Sequence, residues 1–382
     1  MTKNIQPFEF ATVPAIQTEW SGAQRLGETL TARFKQRNAL LVTDAGLVGA
    51  GVVTPVIAAL EANGFTVLLF DEIVADPPEH ILMSCVEKAR AANVDIVIGL
   101  GGGSSLDVAK LTAILIGSTQ SLAEMAGIGK VTGGRTPLVL LPTTAGTGSE
   151  VTNVAIITTG AGTKLGVVAP QLYADYVLLD AELTVGLPAR HTAATGIDAM
   201  VHAIEAYTGR HKKNPISDVL AREALRLLSA NLIVACHDGA NRPARESMLL
   251  GATLAGQAFA NSPVGAVHAL AYPLGGQFHI AHGLSNALML IPVLRFNASA
   301  AETLYGELAE VLGVGKDADS FIAAMVALLD GSGAPRRLRD VGIPEDALPS
   351  MAADAMQQTR LLINNPVEVT EADALALYRE AY

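Results

Sequence analysis

The sequence predicts an α/β protein in two parts, with a parallel β-sheet in the N-terminal half and helices alone in the C-terminal half. Short apolar β-type runs alternate with helical runs in the first half, and these β-type runs are continuously apolar, as in parallel strands covered on both faces. From Thr192 onward the pattern is Ala/Leu-rich and helical. A length of 382 residues fits about two domains. We expect them at residues 1–187 and 188–382, packed around a cleft because no long linker separates them.

The strands and helices of the first half can be assigned in order along the chain. We predict strands at residues 39–43, 66–70, 95–100 and 137–141. Helices are predicted at residues 51–63 and 78–93, and a further helix at residues 107–116. The second half is predicted to contain helices at residues 194–207, 215–236, 246–261, 264–272 and 282–296.

Composition and charge exclude several classes of function. The formal net charge is -11, and because an acidic chain repels phosphate backbones, we expect no nucleic-acid partner. Cys85 and Cys236 form no CxxC pair, which is typical of a reducing compartment. Residues 1–14 lack the apolar core of a secretory signal, and no apolar run is long enough to span a bilayer. We therefore expect a soluble cytoplasmic protein with no membrane partner.

A glycine-rich turn follows the predicted strand at residues 95–100. Gly101, Gly102, Gly103 and Ser104 stand between this strand and a helix, where glycines and free N–H groups can accommodate a phosphate. Ser104 and Asp107 fit a capping box, and we include both in the cofactor site. The turn lacks the GxGxxG and GK[ST] patterns, so a plain strand-to-helix turn is the alternative.

A second small-residue turn, residues 142–150, follows the strand at 137–141 and contains Thr143, Thr144 and Thr147. Ligands of open α/β sheets bind outside the carboxyl ends of the strands, where both turns lie. Asp44 ends the first predicted strand, and an acidic group there favours NAD over NADP by bonding the ribose 2′-hydroxyl. The alternative for Asp44 is a plain turn residue.

A group of Asp and His residues is the candidate metal site. Asp198 and His202 are four residues apart on one predicted helix, so both side chains lie on the same face. His268 and His282 lie in other helical runs, and His279 is a rival to His282. Three neutral imidazoles and one carboxylate suit Fe²⁺ or Zn²⁺. Each histidine taken alone is more commonly a core or surface residue.

Four longer motifs resemble the iron-containing, or group III, alcohol dehydrogenase family, and weaker similarity extends over nearly the whole chain. The motifs are GGGSSLDVAK (Gly101–Lys110), PTTAGTGSEVT (Pro142–Thr152), TAATGIDAMVHAIEAY (Thr192–Tyr207) and VHALAYPLGGQFHIAHGLSNALML (Val267–Leu290).

The resemblance implies a Rossmann-like N-terminal domain, a helical C-terminal domain and an active site in the cleft between them. It implies hydride transfer between NAD and a small alcohol or aldehyde, and a homodimer. It implies metal ligands at Asp198, His202, His268 and His282, with Fe²⁺ as the expected metal and Zn²⁺ as the alternative. It implies cofactor contacts at Asp44, Gly102, Gly103, Ser104, Thr143, Thr144, Thr147 and Lys164.

Two departures from the family pattern concern the site. Many members have a second histidine four residues after the third ligand, often assigned to proton exchange, whereas this chain has Tyr272. We expect Tyr272 to face the site beside the catalytic His268 and His282, either relaying a proton or filling space. The usual Asn-Pro after the second strand is Asp76-Pro77 here, and we expect Asp76 to bond the adenosine or ribose.

Three other functions remain open from the sequence. A hydroxyacid–oxoacid transhydrogenase would act without added NAD. A lyase resembling dehydroquinate synthase would need several basic residues in the helical half, whereas the segments around His268 and His282 are small and apolar. A nucleotide-binding sensor without catalysis would bind metal and NAD but show no turnover.

Overall fold

The structure is a computed structural model that describes residues 7–160 and 164–382. The described residues form two units. The sheet unit contains Thr12–Thr144 and Gly148–Gly186, and the helical unit contains Leu187–Tyr382, Ala145–Thr147 and the N-terminal residues up to Ala11. The domain boundary that we place after residue 187 stays a prediction.

The strands of the described residues all belong to the sheet unit. They are β1 (Ile16–Thr18), β2 (Asn38–Val42), β3 (Thr66–Phe70), β4 (Ile96–Gly101), β5 (Gly127–Ile128), β6 (Leu138–Pro142), β7 (Val154–Thr158), β8 (Lys164–Val168) and β9 (Tyr176–Leu179). The main sheet is parallel throughout, in the order β1-β9-β6-β4-β2-β3, and a small mixed sheet has the order β5-β8-β7. The predicted strands agree with β2, β3, β4 and β6 to within one residue at either end.

The helices of the sheet unit connect these strands and cover both faces of the main sheet. They are α1 (Leu26–Arg33), α2 (Ala45–Gly49), α3 (Val53–Glu61), α4 (Glu79–Ala91), α5 (Gly103–Leu115) and α6 (Leu122–Met125). Side chains alternate along a strand, and Leu41 and Ile98 pack with the buried residues of α1 and α3 on one face. A Cβ added at Gly99 would lie on the other face of the sheet, 2.8 Å from the Cβ of Ala109 in α5. The predicted parallel sheet with helices on both faces is confirmed.

The capping box predicted from Ser104 and Asp107 is wrong. Helix α5 begins at Gly103, with Gly102 as its N-cap and no side-chain capping bond. Ser104 is therefore inside the first turn, and the carboxylate of Asp107 accepts hydrogen bonds from Ser149 and Ile156 instead. The capping-box prediction failed because α5 begins at Gly103, four residues before residue 107, where the apolar periodicity of the sequence placed the start of the helix.

The helical unit contains α7 (Ala189–Thr208), α8 (Pro215–His237), α9 (Arg242–Asn261), α10 (Ala266–Phe278), α11 (His282–Leu312), α12 (Ala318–Ser332), α13 (Leu348–Ala355), α14 (Thr359–Leu362) and α15 (Glu371–Ala381). Helix α7 packs against α8, α9 and α11 and is buried over most of its length. The predicted all-helical second half is confirmed for the described residues. No helix within 7–160 or 164–382 has both the length and the apolar character needed to cross a membrane.

Candidate metal centre and nucleotide-binding turns

The candidate metal centre is built on a polar stripe of the buried helix α7. Asp198 and His202 lie one turn apart, and Glu205 follows almost one turn later on the same face. All three side chains are buried. Because a buried polar group requires a partner, this stripe marks the face of α7 that receives other polar side chains.

Helices α10 and α11 bring the two remaining histidines to this stripe. The distances from Asp198 Oδ1 are 3.9 Å to His202 Nε2, 3.9 Å to His268 Nε2 and 3.6 Å to His282 Nε2. One ligand atom from each of the four residues lies within 4.8 Å of the others. The side chain of His282 is 45% exposed, whereas those of His202 and His268 are buried, so the cluster is accessible from the side of His282.

The rival histidine is not part of this cluster. His279 ends α10 as an exposed C-cap residue with a left-handed backbone, φ 55°. The cluster instead contains His282, the first residue of α11. Tyr272 is half-buried, and its ring centroid lies 6.3 Å from that of His282.

The charges of the cluster favour the metal-binding protonation states. Burial alone would raise the pKa of Asp198, but His202, His282, His268 and the Asn286 amide together hold it below its usual value. Burial lowers the pKa of His202 to about 3, against the opposing effect of Asp198. An ionised carboxylate and a neutral imidazole are the forms that bind metals.

Two residues that the sequence analysis missed complete the cluster. Glu205 Oε2 lies 2.6 Å from His268 Nδ1. The Asn286 amide nitrogen lies 2.6 Å from Asp198 Oδ1, 3.2 Å from His268 Nε2 and 3.3 Å from His282 Nε2. Helical spacing is a signal that could have found them, since Glu205 is three residues after His202 and Asn286 four residues after His282.

These residues fit a divalent metal. The acceptor atoms of Asp198, His268 and His282 converge on one point, now approached by the amide nitrogen of Asn286. Asp198 and Glu205 are both buried, and no lysine or arginine among the described residues lies within ion-pair distance of either carboxylate. Buried carboxylates need a cation, and a donor set of three imidazoles and one carboxylate suits iron or zinc.

The sheet unit has a ligand-binding edge of the kind found in open α/β sheets. The chain passes from β2 to β3 on one side of β2 and then returns to β4 on the other, so the strand order reverses between β2 and β4. Ligands bind outside the carboxyl ends of strands at such a switch point. Asp44 follows β2, and Gly102, Gly103 and Ser104 follow β4, so these predicted cofactor residues lie at this point.

The glycine turn and the threonine turn are adjacent. The backbone N–H of Thr143 donates to the carbonyl of Gly101 over 3.0 Å, and an added Cβ at Gly102 would lie 3.5 Å from Thr144 Cγ2. A Cβ at Gly101 would lie 2.7 Å from the Cβ of Ser105, which cannot move aside, so glycine is required between strand and helix. The first N–H groups of α5 lack partners within the helix and provide donors for an anion. Thr147 belongs to the helical unit.

Asp107 faces a buried lysine rather than the turn. Lys110 is fully buried, and its ammonium donates to Ser149 Oγ (2.7 Å), Thr152 Oγ1 (3.1 Å) and the Val154 carbonyl (2.9 Å). It lies 3.6 Å from Asp107. Burial raises the pKa of Asp107 and lowers that of Lys110, and the attraction between the two opposes both shifts. The pair fastens α5 to the segment before β7.

The other predicted cofactor residues each have a protein partner. Asp44 is the N-cap of α2 and accepts from the backbone N–H of Leu47 over 3.0 Å, so the turn-residue alternative describes one of its roles. Asp76 has a left-handed backbone, φ 52°, and forms an ion pair with Lys164, which also donates to Thr158 over 3.2 Å. Asp76 and Lys164, both predicted to contact the cofactor, are therefore brought together.

Comparison with known proteins covers both halves of the chain. Residues 15–181 match the family model described as iron-containing alcohol dehydrogenase, and residues 192–382 match that of the C-terminal part of the Fe-containing alcohol dehydrogenase family. Long-chain-alcohol dehydrogenase 1 of Geobacillus thermodenitrificans (strain NG80-2) is 41% identical over 363 residues, which cover 92% of this chain and 91% of that protein.

Solved structures agree with these matches. The crystal structure of a 1,3-propanediol oxidoreductase has a TM-score of 0.95 and 34% identity, covering 99% of this chain and 100% of the other. Sulfoacetaldehyde reductase from Bifidobacterium kashiwanohense, solved in complex with NAD⁺, has a TM-score of 0.91 and 29% identity, covering 98% and 99%.

The chain belongs to the iron-containing alcohol dehydrogenase family. The family predicted from the four motifs is therefore confirmed, as is the fold class. The predicted enzyme class, an oxidoreductase that acts on CH–OH groups, is confirmed at the level of the family.

Proposed function

We propose that the protein is a metal-dependent, NAD-linked alcohol dehydrogenase that interconverts a small alcohol and its aldehyde. The observation that carries this proposal is the cluster of Asp198, His202, His268 and His282, whose ligand atoms lie within 4.8 Å of one another. The small residues beside His268 in the sequence, such as Ala269 and Ala271, are the basis for proposing a small and weakly polar substrate.

Asp198, His202, His268 and His282 would hold one divalent metal, with Fe²⁺ proposed from the family and Zn²⁺ as the alternative. When bound, the metal acts as a Lewis acid on the oxygen of the substrate. Asp198 supplies the negative charge of the ligand set, and the buried His202 stays neutral. The exposure of His282 leaves an approach for the substrate on its side of the cluster.

The two turns at the sheet edge would hold NAD. NAD supplies the hydride chemistry, and the protein binds and orients it. The helix N-terminus at Gly102–Ser104 offers N–H donors for the pyrophosphate. The remaining proposed contacts are Asp44, Asp76, Thr143, Thr144, Thr147 and Lys164. Asp107, predicted as a further contact, faces Lys110 and would act only by holding α5 in place. The NAD⁺ complex of a sulfoacetaldehyde reductase that covers 98% of this chain supports this cofactor.

Tyr272 is proposed to lie beside the substrate, where it either relays a proton or fills space. Its half-buried ring neighbours His282, the exposed member of the cluster. The variant Tyr272→Phe separates the two roles because it removes only the hydroxyl. A relay predicts a changed pH–rate profile with unchanged metal content, whereas an unchanged profile would leave packing as its role.

The deciding experiment is reconstitution of the apoprotein with Fe²⁺ or Zn²⁺, followed by assays of short alcohols, diols and aldehydes with NAD. We expect NAD-dependent turnover and bound metal in the wild type, and loss of both in His268→Ala. Full metal content and rate in His268→Ala would contradict the ligand assignment. Turnover between two substrates without added NAD would favour a transhydrogenase, and bound metal and NAD without turnover would favour a sensor.

The location and assembly of the protein are also proposals. Cys85 and Cys236 are both free thiols, which supports a reducing cytoplasm. A homodimer is proposed from the family resemblance alone. Light scattering coupled to size-exclusion chromatography would measure the mass of the assembly, and a monomer would contradict this proposal.

A further inference from the structure

Glu205 is a buried carboxylate for which the sequence motifs predicted no role in the metal site. It lies on α7 within the same polar stripe as Asp198 and His202. Among the described residues, the only basic side chain within ion-pair distance of its carboxylate is His268. A buried carboxylate that has neither a lysine nor an arginine nearby requires another source of positive charge.

Both oxygens of Glu205 are engaged by the segment that carries His268. Oε2 lies 2.6 Å from His268 Nδ1, and Oε1 accepts from the backbone N–H of Val267 over 2.7 Å. An ionised carboxylate only accepts hydrogen bonds, so Nδ1 of His268 must be the donor. The Nε2 atom of a neutral His268 then carries the lone pair, and this is the atom 3.9 Å from Asp198 Oδ1.

We propose that Glu205 is a positioning residue of the metal centre. It holds His268 in the orientation that directs the Nε2 lone pair towards the metal, and it supplies the second negative charge of the site. This inference rests on the proposed metal binding. One dication, the two carboxylates of Asp198 and Glu205, and three neutral imidazoles give a net charge of zero. Burying a charge is costly unless an opposite charge compensates it.

The surroundings hold the Glu205 carboxylate in place. The Gly265 backbone lies near the carboxylate, since a Cβ added at Gly265 would be in ordinary van der Waals contact with Glu205 Oε1, at 3.4 Å. Glu205 also lines a cavity of about 10 Å³ whose other lining residues are neutral, some polar, such as Thr208 and Asn297, and some apolar, such as Leu294. The side-chain amides of Asn297 and Asn365 form two reciprocal hydrogen bonds, of 2.9 and 2.8 Å, which hold Asn297 in place. The Glu205 carboxylate therefore has neutral residues on one side and the imidazole of His268 on the other.

The variant Glu205→Gln tests this role because it keeps the size of the side chain. A carboxamide has one acceptor oxygen, so it cannot accept from both His268 and Val267. If the oxygen faces Val267, the NH₂ group donates to His268 Nδ1 and forces the proton onto Nε2, the ligand atom. Loss of a partner of this kind weakens metal binding by about 10–100-fold.

Thr208→Val is the matched control. Thr208 lies three residues after Glu205 on α7 and lines the same cavity, but its hydroxyl donates to the Ile204 carbonyl and not to a proposed ligand. Both variants and the wild type would be titrated with Zn²⁺ against a competing chelator. Co²⁺ would serve as a spectroscopic probe, since its visible absorption reports the ligand geometry. Thermal unfolding would be recorded with chelator and with Zn²⁺.

We expect Glu205→Gln to bind Zn²⁺ about 10–100-fold more weakly, with an altered Co²⁺ spectrum and a smaller rise of Tm on adding Zn²⁺. Thr208→Val should bind like the wild type. If Glu205→Gln unfolds earlier in chelator but keeps the full Zn²⁺-dependent rise and the wild-type Co²⁺ spectrum, Glu205 is structural only and the inference is overturned. Failure of the wild type itself to bind metal would overturn the proposed function, and this inference with it.

Discussion

Gly283 lets α11 approach α7 closely enough to place His282 beside Asp198. An added Cβ at this position would lie 2.4 Å from the carbonyl oxygen of Ala194 and 3.3 Å from the Cβ of Asp198. Non-bonded heavy atoms normally approach to about 3.5 Å. The variant Gly283→Ala must therefore separate the start of α11 from α7 by about 1 Å.

This separation has two consequences of different size. Overpacking of this kind lowers the free energy of unfolding by about 1–3 kcal/mol. The same shift moves His282 and Asn286 relative to Asp198, and a displacement of about 1 Å at a reacting centre lowers the rate by about 100-fold. We therefore expect Gly283→Ala to stay folded, to bind metal more weakly and to lose about 100-fold in kcat/KM.

The assays are urea unfolding in chelator, Zn²⁺ titration, and turnover with NAD at saturating metal. Gly276→Ala is the matched control, because an added Cβ at this exposed position of α10 meets no atom within 4 Å. Its metal affinity and rate should equal those of the wild type. Wild-type stability and metal affinity in Gly283→Ala would refute the argument that this close approach of the helices positions the cluster.

Three further predictions concern the sheet unit and the thiols. Asp44→Ser keeps a side-chain N-cap for α2, so the free energy of unfolding should change by less than about 0.5 kcal/mol. Because the variant removes the charge, the preference for NAD over NADP, measured as the ratio of the two kcat/KM values, should fall about tenfold. An unchanged ratio would contradict a role of Asp44 in cofactor choice. Lys110→Met removes the cation that faces the half-buried Asp107, which keeps its hydrogen bonds from Ser149 and Ile156, so we expect a loss of about 1.5–3 kcal/mol in urea unfolding. A loss below about 1 kcal/mol would show that the pair is dispensable. Burial raises the pKa of Cys85 to about 12 and also raises the pKa of the half-buried Cys236; a maleimide at pH 8 should label Cys236 first by mass spectrometry, and equal labelling of native Cys85 would contradict this.

The strands predicted from the sequence are continuously apolar, although β9, which has only four residues, is as apolar and as buried and was not predicted. β4 and β6 are buried at every position, so their composition alone marks them. β1 has only three residues and an exposed pattern, and β7 and β8 form a separate small sheet, so their pairing depends on distant partners. The start of α5 was misplaced because glycines carry no periodicity, although they define the turn.

By itself, the sequence determined the family and the division into strand-bearing and helical halves, because long motifs are local properties of the chain. Helical spacing predicted the Asp198–His202 pair, and the family resemblance predicted His268 and His282 as the other two ligands. The tertiary structure decided how α10 and α11 meet α7. It brought His268 and His282, rather than His279, to Asp198, and it set Glu205 behind His268. Such contacts join residues more than 60 positions apart, and only the packing of the helices brings them within hydrogen-bonding or metal-binding distance. At Gly283 this packing depends on the absence of a side chain.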